Sequence, residues 1–273
     1  MNLFHALVLG AFQGFSEILP ISSSAHLILI PWFFKWPESG LIFDVALHLG
    51  TFIALSIYFR HDIVEMVVSF FSALKNRSLD TPSKRLPFII IAATIPAAVV
   101  GKLFEDTIEA VFRSSPLLIA GFMIGFGILL GFADRFGRKQ LTLDQTTAAS
   151  GMVVGLFQCL ALVPGVSRSG ITITAGLMLG FNREAAARFS FLLSLPIVAG
   201  AALLTLVHLL KVGILAADLP PMLVGITASS ITGYISVAFL LRFVQKRTIA
   251  PFVWYRIIAG LAVILLIKAG FGG

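Results

Sequence analysis

The stretch "GAFQGFSEILPISSS", Gly10–Ser24, decides how this chain folds. Apolar residues crowd it, yet it stops at Pro20, presents Ser22, Ser23 and Ser24 in a row, and is framed by Glu17 and His26. Proline removes a backbone donor and clashes with the preceding turn, so a helix breaks there. The stretch has a counterpart, "GLFQCLALVPGVSRS", Gly155–Ser169, in which Gly-x-Phe-Gln, then a proline, then serines recur with one residue deleted. Each break joins two short apolar pieces: Asn2–Leu19 with Ile21–Phe34, and Thr147–Val163 with Gly170–Phe181. Each pair reads as a re-entrant hairpin, two half-helices meeting at membrane depth. Irregular backbone at that depth is tolerated only where it is buried in protein or lines a cavity.

Composition agrees with a membrane setting. Of 273 residues, 58% are hydrophobic and 12% charged, against about 25% charge in soluble domains. Lys and Arg number 20 against 13 Asp and Glu, a net +7. The basic residues gather in a few short loops, which is a topology signal rather than a nucleic-acid surface. A single cysteine, Cys159, excludes an internal disulfide and a Cys-rich metal site. His5, His26, His48, His61 and His208 are scattered without zinc-like spacing. The N-terminus lacks the basic region of a cleavable signal peptide.

Six stretches approach the roughly 20 apolar residues a spanning helix needs: Leu41–Phe59, Leu86–Leu103, Pro116–Phe132, Ala187–Leu210, Leu219–Leu241 and Phe252–Ala269. Three connections are strongly basic: Arg60–Arg85, Arg135–Lys139 and Arg242–Arg247. Lys102–Arg113 carries Glu105, Asp106 and Glu109, and Lys211–Asp218 is nearly neutral. Basic loops stay cytoplasmic, so the first hairpin starts and ends outside and the second starts and ends inside. The expectation is an all-α polytopic membrane protein, one integral domain over 1–273. It comprises two inverted-topology repeats (about 1–135 and 147–273), each a re-entrant hairpin plus three transmembrane helices. Such repeats place their site near the midplane, at broken helices.

Beyond each proline a half-helix begins with free N–H groups and serine hydroxyls, and helix N-termini are anion sites. Arg168 adds a permanently charged fork suited to phosphate. Gln13 and Glu17 lie four apart on one helical face. An unpaired charge in hydrocarbon is costly, so Glu17 and Arg168 are expected to face each other or a wet cavity. The set suits a phosphate ester or a diphosphate. Glu17 would act as general base or would hold a divalent cation; a serine or His26 would be the nucleophile. Ser22, Ser24, Ser167, Ser169, Gly170 and Thr172 are candidate substrate-binding positions. Asp44 and His48, four apart in the third apolar stretch, read as a polar contact between helices or as partners behind the site.

The motifs "GFSEILPISSSAH" and "PGVSRSGITIT" resemble the two signature regions of undecaprenyl-diphosphate phosphatases of the bacitracin-resistance type. "FDVALHLGT", "ATIPAAVVGKLFED" and "RFSFLLSLP" are similar to that family too, so the resemblance covers essentially the whole chain. It implies an enzyme of the bacterial inner membrane, with its site reached from the outer face. The reaction removes the terminal phosphate of a polyprenyl diphosphate, returning the monophosphate carrier to peptidoglycan synthesis. It also implies a divalent cation, Mg2+ or Ca2+. The family's E/Q-x-x-x-E pattern falls on Gln13 and Glu17, the cation ligands the resemblance implies; its Pro-x-Ser-Ser tip falls on Pro20, Ser22 and Ser23. Its histidine falls on His26, and its Pro-Gly-x-Ser-Arg-Ser-Gly tip on Pro164 to Gly170. Gln13 stands where many members carry glutamate, and Ser24-Ala25 replaces a common Thr-Gly. Family logic leaves serine and histidine both open as nucleophile. The choice made here is Ser23, with Glu17, His26 and Arg168 as its catalytic partners.

Two rivals stand beside this reading. A lipid phosphatase with a Ser-Arg-x5-His-x3-Asp motif would start at Ser167-Arg168, but Thr174 and Met178 occupy the required positions. A polyprenyl-phosphate transporter or flippase would share the inverted-repeat architecture. It would need anion donors at the tips, but not a carboxylate, a hydroxyl and an arginine together. Neither reading involves nucleic acid.

Overall fold

The structure, a computed structural model, describes residues 2–37, 40–112, 115–212 and 218–271. It is almost wholly helical. The first half holds α1 (Leu3–Ile18), α2 (Ser23–Phe34), α3 (Leu41–Tyr58), α4 (Arg60–Asn76), α5 (Pro82–Phe112) and α6 (Pro116–Phe136). The second holds α7 (Ala148–Gln158), α8 (Arg168–Met178), α9 (Arg183–Val212), α10 (Leu219–Lys246) and α11 (Ala250–Lys268). Pro82–Phe104 of α5, α6, Arg183–Leu204 of α9, α10 and α11 are each long and apolar enough to cross a bilayer. Counting α3 together with α4, which turns away from it by 78°, as one broken span gives six.

α1, α2, α7 and α8, the four arms of the two breaks, are each too short to cross. α2 has 12 residues and α8 has 11, or about 17–18 Å at 1.5 Å per residue, against a hydrocarbon core of about 30 Å. They meet α1 and α7 at the predicted breaks, Pro20 and Pro164-Gly165. A 3-10 turn, Cys159–Leu162, leads α7 into the second break.

Three connections differ from expectation. Arg60–Arg85 is mostly helix. In α4, Ile63, Met66 and Ala73 pack inward at helical spacing, and Phe70 stacks on Phe88 at 4.8 Å. Asp62 pairs with Arg188 and Glu65 accepts from Ser83 Oγ at 2.9 Å, holding α4 against α9 and α5. Lys102–Arg113 is helical as far as Phe112, and α9 runs to Val212. Arg113 and residues 213–217 lie outside the described residues, as do the side chains of Glu105, Asp106, Glu109, His208 and Lys211.

In lipid, helices associate through close backbone packing rather than apolar burial. α1 lies on α10 at Gly10, where a Cβ would come within 2.4 Å of the Gly225 carbonyl oxygen. α7 lies on α5 at Gly155, where a Cβ would come within 2.2 Å of the Ala93 carbonyl oxygen. Each broken hairpin is thus seated on a span from the opposite half. This crossing brings the two breaks face to face.

Candidate active site

Both breaks end on a strained serine. Ser22 has φ 79° and Ser167 φ 75°, conformations that L-residues rarely adopt. Each is an N-cap: Ser22 Oγ accepts from Ala25 N–H at 3.4 Å, and Ser167 Oγ accepts from Gly170 N–H at 3.1 Å. In both tips the cap hydroxyl also lies 3.4 Å from the hydroxyl two residues on, Ser24 or Ser169. The serines therefore correspond without a gap; only the proline slides by one, so that Gly165 stands at the place of Pro20. The one-residue deletion expected from the sequence is absent: Gly10–Ser24 and Gly155–Ser169 align end to end. Beyond the caps, the N–H groups of Ser23, Ser24, Arg168 and Ser169 have no partner among the described residues.

The tips are sewn together. Ser22 Oγ accepts from Gly165 N–H at 3.2 Å, and Ser169 Oγ donates to the Leu19 carbonyl at 3.1 Å. Glu17 takes Arg168 on one carboxylate oxygen, with Nε at 3.0 Å and Nη2 at 2.9 Å. Its other oxygen accepts from the Ser23 hydroxyl and, at 3.4 Å, from Gln13 Nε2. Glu17, Ser23 and Gln13 are buried, so the ion pair is what makes the carboxylate affordable at this depth. Arg168 Nη1 also donates to the Ser190 carbonyl at 3.2 Å, and Thr172 Oγ1 lies 2.6 Å from Ser190 Oγ. Thr172 and Gly170 thus stand behind the second tip. Gly170 lies against the Arg256 guanidinium, where a Cβ would come 2.8 Å from Nη1.

The chain belongs to the bacitracin resistance protein BacA family. The family's model matches residues 6–262. The undecaprenyl-diphosphatase of Pelobacter propionicus is 68% identical over the full length of both chains. That of Geotalea daltonii is 62% identical over 99% of this chain and 100% of its own, and that of Geobacter metallireducens 60% over 98% and 99%.

Within this family member, His26 is placed differently from Ser23. Its Nδ1 lies 2.7 Å from the Ser22 carbonyl, and its Nε2 lies 2.6 Å from the Tyr255 hydroxyl. Both ring nitrogens are occupied, and the group on Ser23 is Glu17. His48 joins the site: Nε2 is 3.5 Å from Glu17 and Nδ1 is 2.8 Å from the Asp44 carbonyl. This contact joins α3 to α1, so the polar contact between helices expected of His48 falls on the candidate site.

Arg256 was missed in the sequence. It is fully buried and has no carboxylate partner among the described residues. Its guanidinium donates to the carbonyls of Met123 at 3.0 Å, Pro20 at 3.3 Å, Gly165 at 2.8 Å and Val166 at 3.0 Å. Both breaks expose carbonyls that no helix satisfies, and this one side chain collects them. The available signal was a charge in the middle of an apolar run, which marks function by default.

No group of three or more His, Cys, Asp or Glu able to hold a metal occurs among the described residues. Beside Glu17 a buried acceptor lacks a partner, Gln13 Oε1. It is a hard oxygen next to the carboxylate of Glu17, the donor type Mg2+ and Ca2+ prefer. Mg2+ is commonly held by one or two protein oxygens together with substrate phosphates, and the residues present fit a cation bound that way.

Proposed function

We infer that the chain is an undecaprenyl-diphosphatase, releasing inorganic phosphate from a polyprenyl diphosphate and leaving the polyprenyl monophosphate. The observation that carries this reading is the Ser23 hydroxyl donating to a carboxylate that is itself ion-paired to Arg168 of the opposite tip. A buried hydroxyl on a carboxylate is an activated nucleophile. A paired arginine between two free helix N-termini is a phosphate receiver. Transport needs the second feature but not the first, so hydrolysis is the better account.

The chemistry follows from the placement. The terminal phosphate enters between the tips and draws Arg168 from Glu17 to its own oxygens. Ser23 Oγ attacks the terminal phosphorus, and its proton passes to Glu17. The bridging P–O bond breaks, and the prenyl monophosphate departs. Water then hydrolyses the phosphoserine, and Glu17 returns its proton to Ser23 Oγ. Arg168 and the unpartnered N–H groups of Ser23, Ser24, Arg168 and Ser169 stabilise the equatorial charge. Ser22, Ser167 and Ser169 hold the tips in shape around it. A divalent cation on Gln13 Oε1 and Glu17 would neutralise diphosphate charge when bound.

The protein is multi-pass. We place it in the bacterial inner membrane, its two halves inserted in opposite senses, with the site open to the outer face. The basic connections 60–85, 135–139 and 242–247 support that orientation. The decisive experiment measures phosphate release from farnesyl or undecaprenyl diphosphate by purified protein, with and without EDTA, beside Arg168→Ala. Release dependent on both the cation and Arg168 is expected. No release from folded protein would overturn hydrolysis in favour of transport.

A further inference from the structure

The inference concerns α11 and rests on the hydrolase reading. Between Pro251 and Lys268 this helix carries polar atoms at only three side chains, the consecutive Trp254, Tyr255 and Arg256. Arg256 turns inward to the tips. Tyr255 reaches His26, on the first turn of α2 and three residues from Ser23.

Hydrogen-bond chemistry fixes the sense of that contact. The Ser22 carbonyl can only accept, so the His26 Nδ1 that approaches it to 2.7 Å carries the hydrogen. A neutral imidazole then presents a lone pair at Nε2, and Tyr255 O–H donates to it across 2.6 Å. The two rings are nearly parallel, 15° apart with centroids separated by 5.7 Å. Phe12 stacks on the imidazole, with centroids 6.1 Å apart. His26 thus has no nitrogen left for Ser23 or for phosphate. Any proton it gives or takes passes through the Tyr255 oxygen. Burial points the same way: His26 is 6% exposed, whereas Tyr255 is 41% exposed and forms the outer end of the pair.

We propose that Tyr255 is the proton relay of the reaction, connecting His26 to the leaving phosphate oxygen and then to water. With His26 protonated, Nε2–H donates to the phenol oxygen and the phenol hydrogen turns toward the substrate. As the bridging P–O bond breaks, the leaving oxygen takes the phenol hydrogen and the phenol oxygen takes the Nε2 proton. His26 becomes neutral and Tyr255 is unchanged. In the second step, water adds its OH to the phosphoserine phosphorus, and its other proton returns through Tyr255 to His26. Glu17 meanwhile re-protonates Ser23, so both proton carriers end as they began.

The test uses Tyr255→Phe, which keeps the packed ring and removes only the hydroxyl. Wild type, Tyr255→Phe, His26→Gln and the double variant are assayed for phosphate release in H2O and D2O, with thermal unfolding followed alongside. General acid–base groups contribute about 10²–10⁴-fold. Tyr255→Phe is expected to lower kcat by about 10²-fold with KM nearly unchanged, to shift the solvent isotope effect, and to unfold at the wild-type temperature. The double variant should be no slower than the slower single one. Wild-type kcat in Tyr255→Phe would overturn the relay and leave the hydrolase reading intact. So would losses that multiply in the double variant, since independent packing roles add in free energy. A wild-type protein that releases no phosphate would overturn both.

Discussion

The two breaks share a backbone and differ in chemistry. Ser167 lies 145 positions after Ser22, and the same interval joins Gly10 to Gly155 and Gln13 to Gln158. Cap, positive φ and hydroxyl spacing are alike in both tips. At that interval, however, Ser23 corresponds to Arg168, Glu17 to Leu162, His26 to Ile171 and Ala25 to Gly170. One tip holds the nucleophile and its base; the other holds the cation. Two identical tips could not do this. Two arginines would leave no nucleophile, and two carboxylates would crowd a diphosphate with like charge. The strained caps are a common scaffold cost, and a handful of side chains divide the labour.

That division makes the largest effect predictable. Ser23→Ala, Glu17→Ala and Arg168→Ala should each lower phosphate release by about 10²–10³-fold, the usual cost of one preorganised group. Exchanging the central residues, Ser23→Arg with Arg168→Ser, should not restore activity, because the base stays behind at Glu17 and the second tip has Leu162 there. Recovery by the exchanged protein would show that the tips are interchangeable.

Arg256 serves both tips at once, so its removal should loosen them together. Each buried carbonyl left without a donor costs about 1–3 kcal/mol. Arg256→Gln should lose about 2–3 kcal/mol of stability, read as an earlier thermal transition in detergent. Arg256→Lys should recover part of the loss, because an ammonium reaches fewer of the four near carbonyls. Unfolding at the wild-type temperature would mean that the breaks hold their shape without it.

The sequence made some of this legible and hid the rest for physical reasons. Pro20 and Pro164-Gly165 announce the breaks because cap-forming serines follow each proline; proline alone does not break this chain, since Pro31, Pro87, Pro96 and Pro196 lie inside helices. Glu17 and Arg168 could be expected to face each other or a wet cavity because neither charge is tolerable alone in hydrocarbon, and the structure pairs them. Arg256 stayed hidden because carbonyls, not a carboxylate, satisfy it, and carbonyls carry no sequence signal. Tyr255 stayed hidden because its partner is 229 residues away. α4 was read as a loop because its apolar residues, among them Val64, Val67, Val68 and Phe71, lie outward on a short helix flanked by cations. Nothing in that pattern fixes a turn of 78°.

A finer difference lies one turn into the tips. Ala25 and Gly170 occupy corresponding places, and each donates its N–H to the cap serine. Only the second faces Arg256, which leaves no room for a Cβ. Gly170→Ala should therefore cost about 1–3 kcal/mol by overpacking and lower activity through the displaced guanidinium. Ala25→Gly should cost about 1 kcal/mol by helix propensity alone. Equal effects in the two variants, measured by thermal unfolding, would remove Arg256 as the cause of the asymmetry.

The smallest expected effect separates the two glutamines. Gln13 Oε1, Gln158 Oε1 and Gln158 Nε2 are buried without partners, and Gln13 Nε2 alone has one, Glu17. A buried amide with no partner is a cost that an apolar residue of similar volume removes. Gln158→Leu should then match or exceed wild-type stability, with its requirement for divalent cation unchanged. Gln13→Leu should raise the cation concentration needed for half-maximal phosphate release by several-fold, because it takes away the free oxygen beside Glu17. A cation titration of both variants reads the difference directly. The same shift in both, or in neither, would mean that the cation is held by the phosphates and Glu17 without Gln13, and that the two glutamines are matched relics of the shared scaffold.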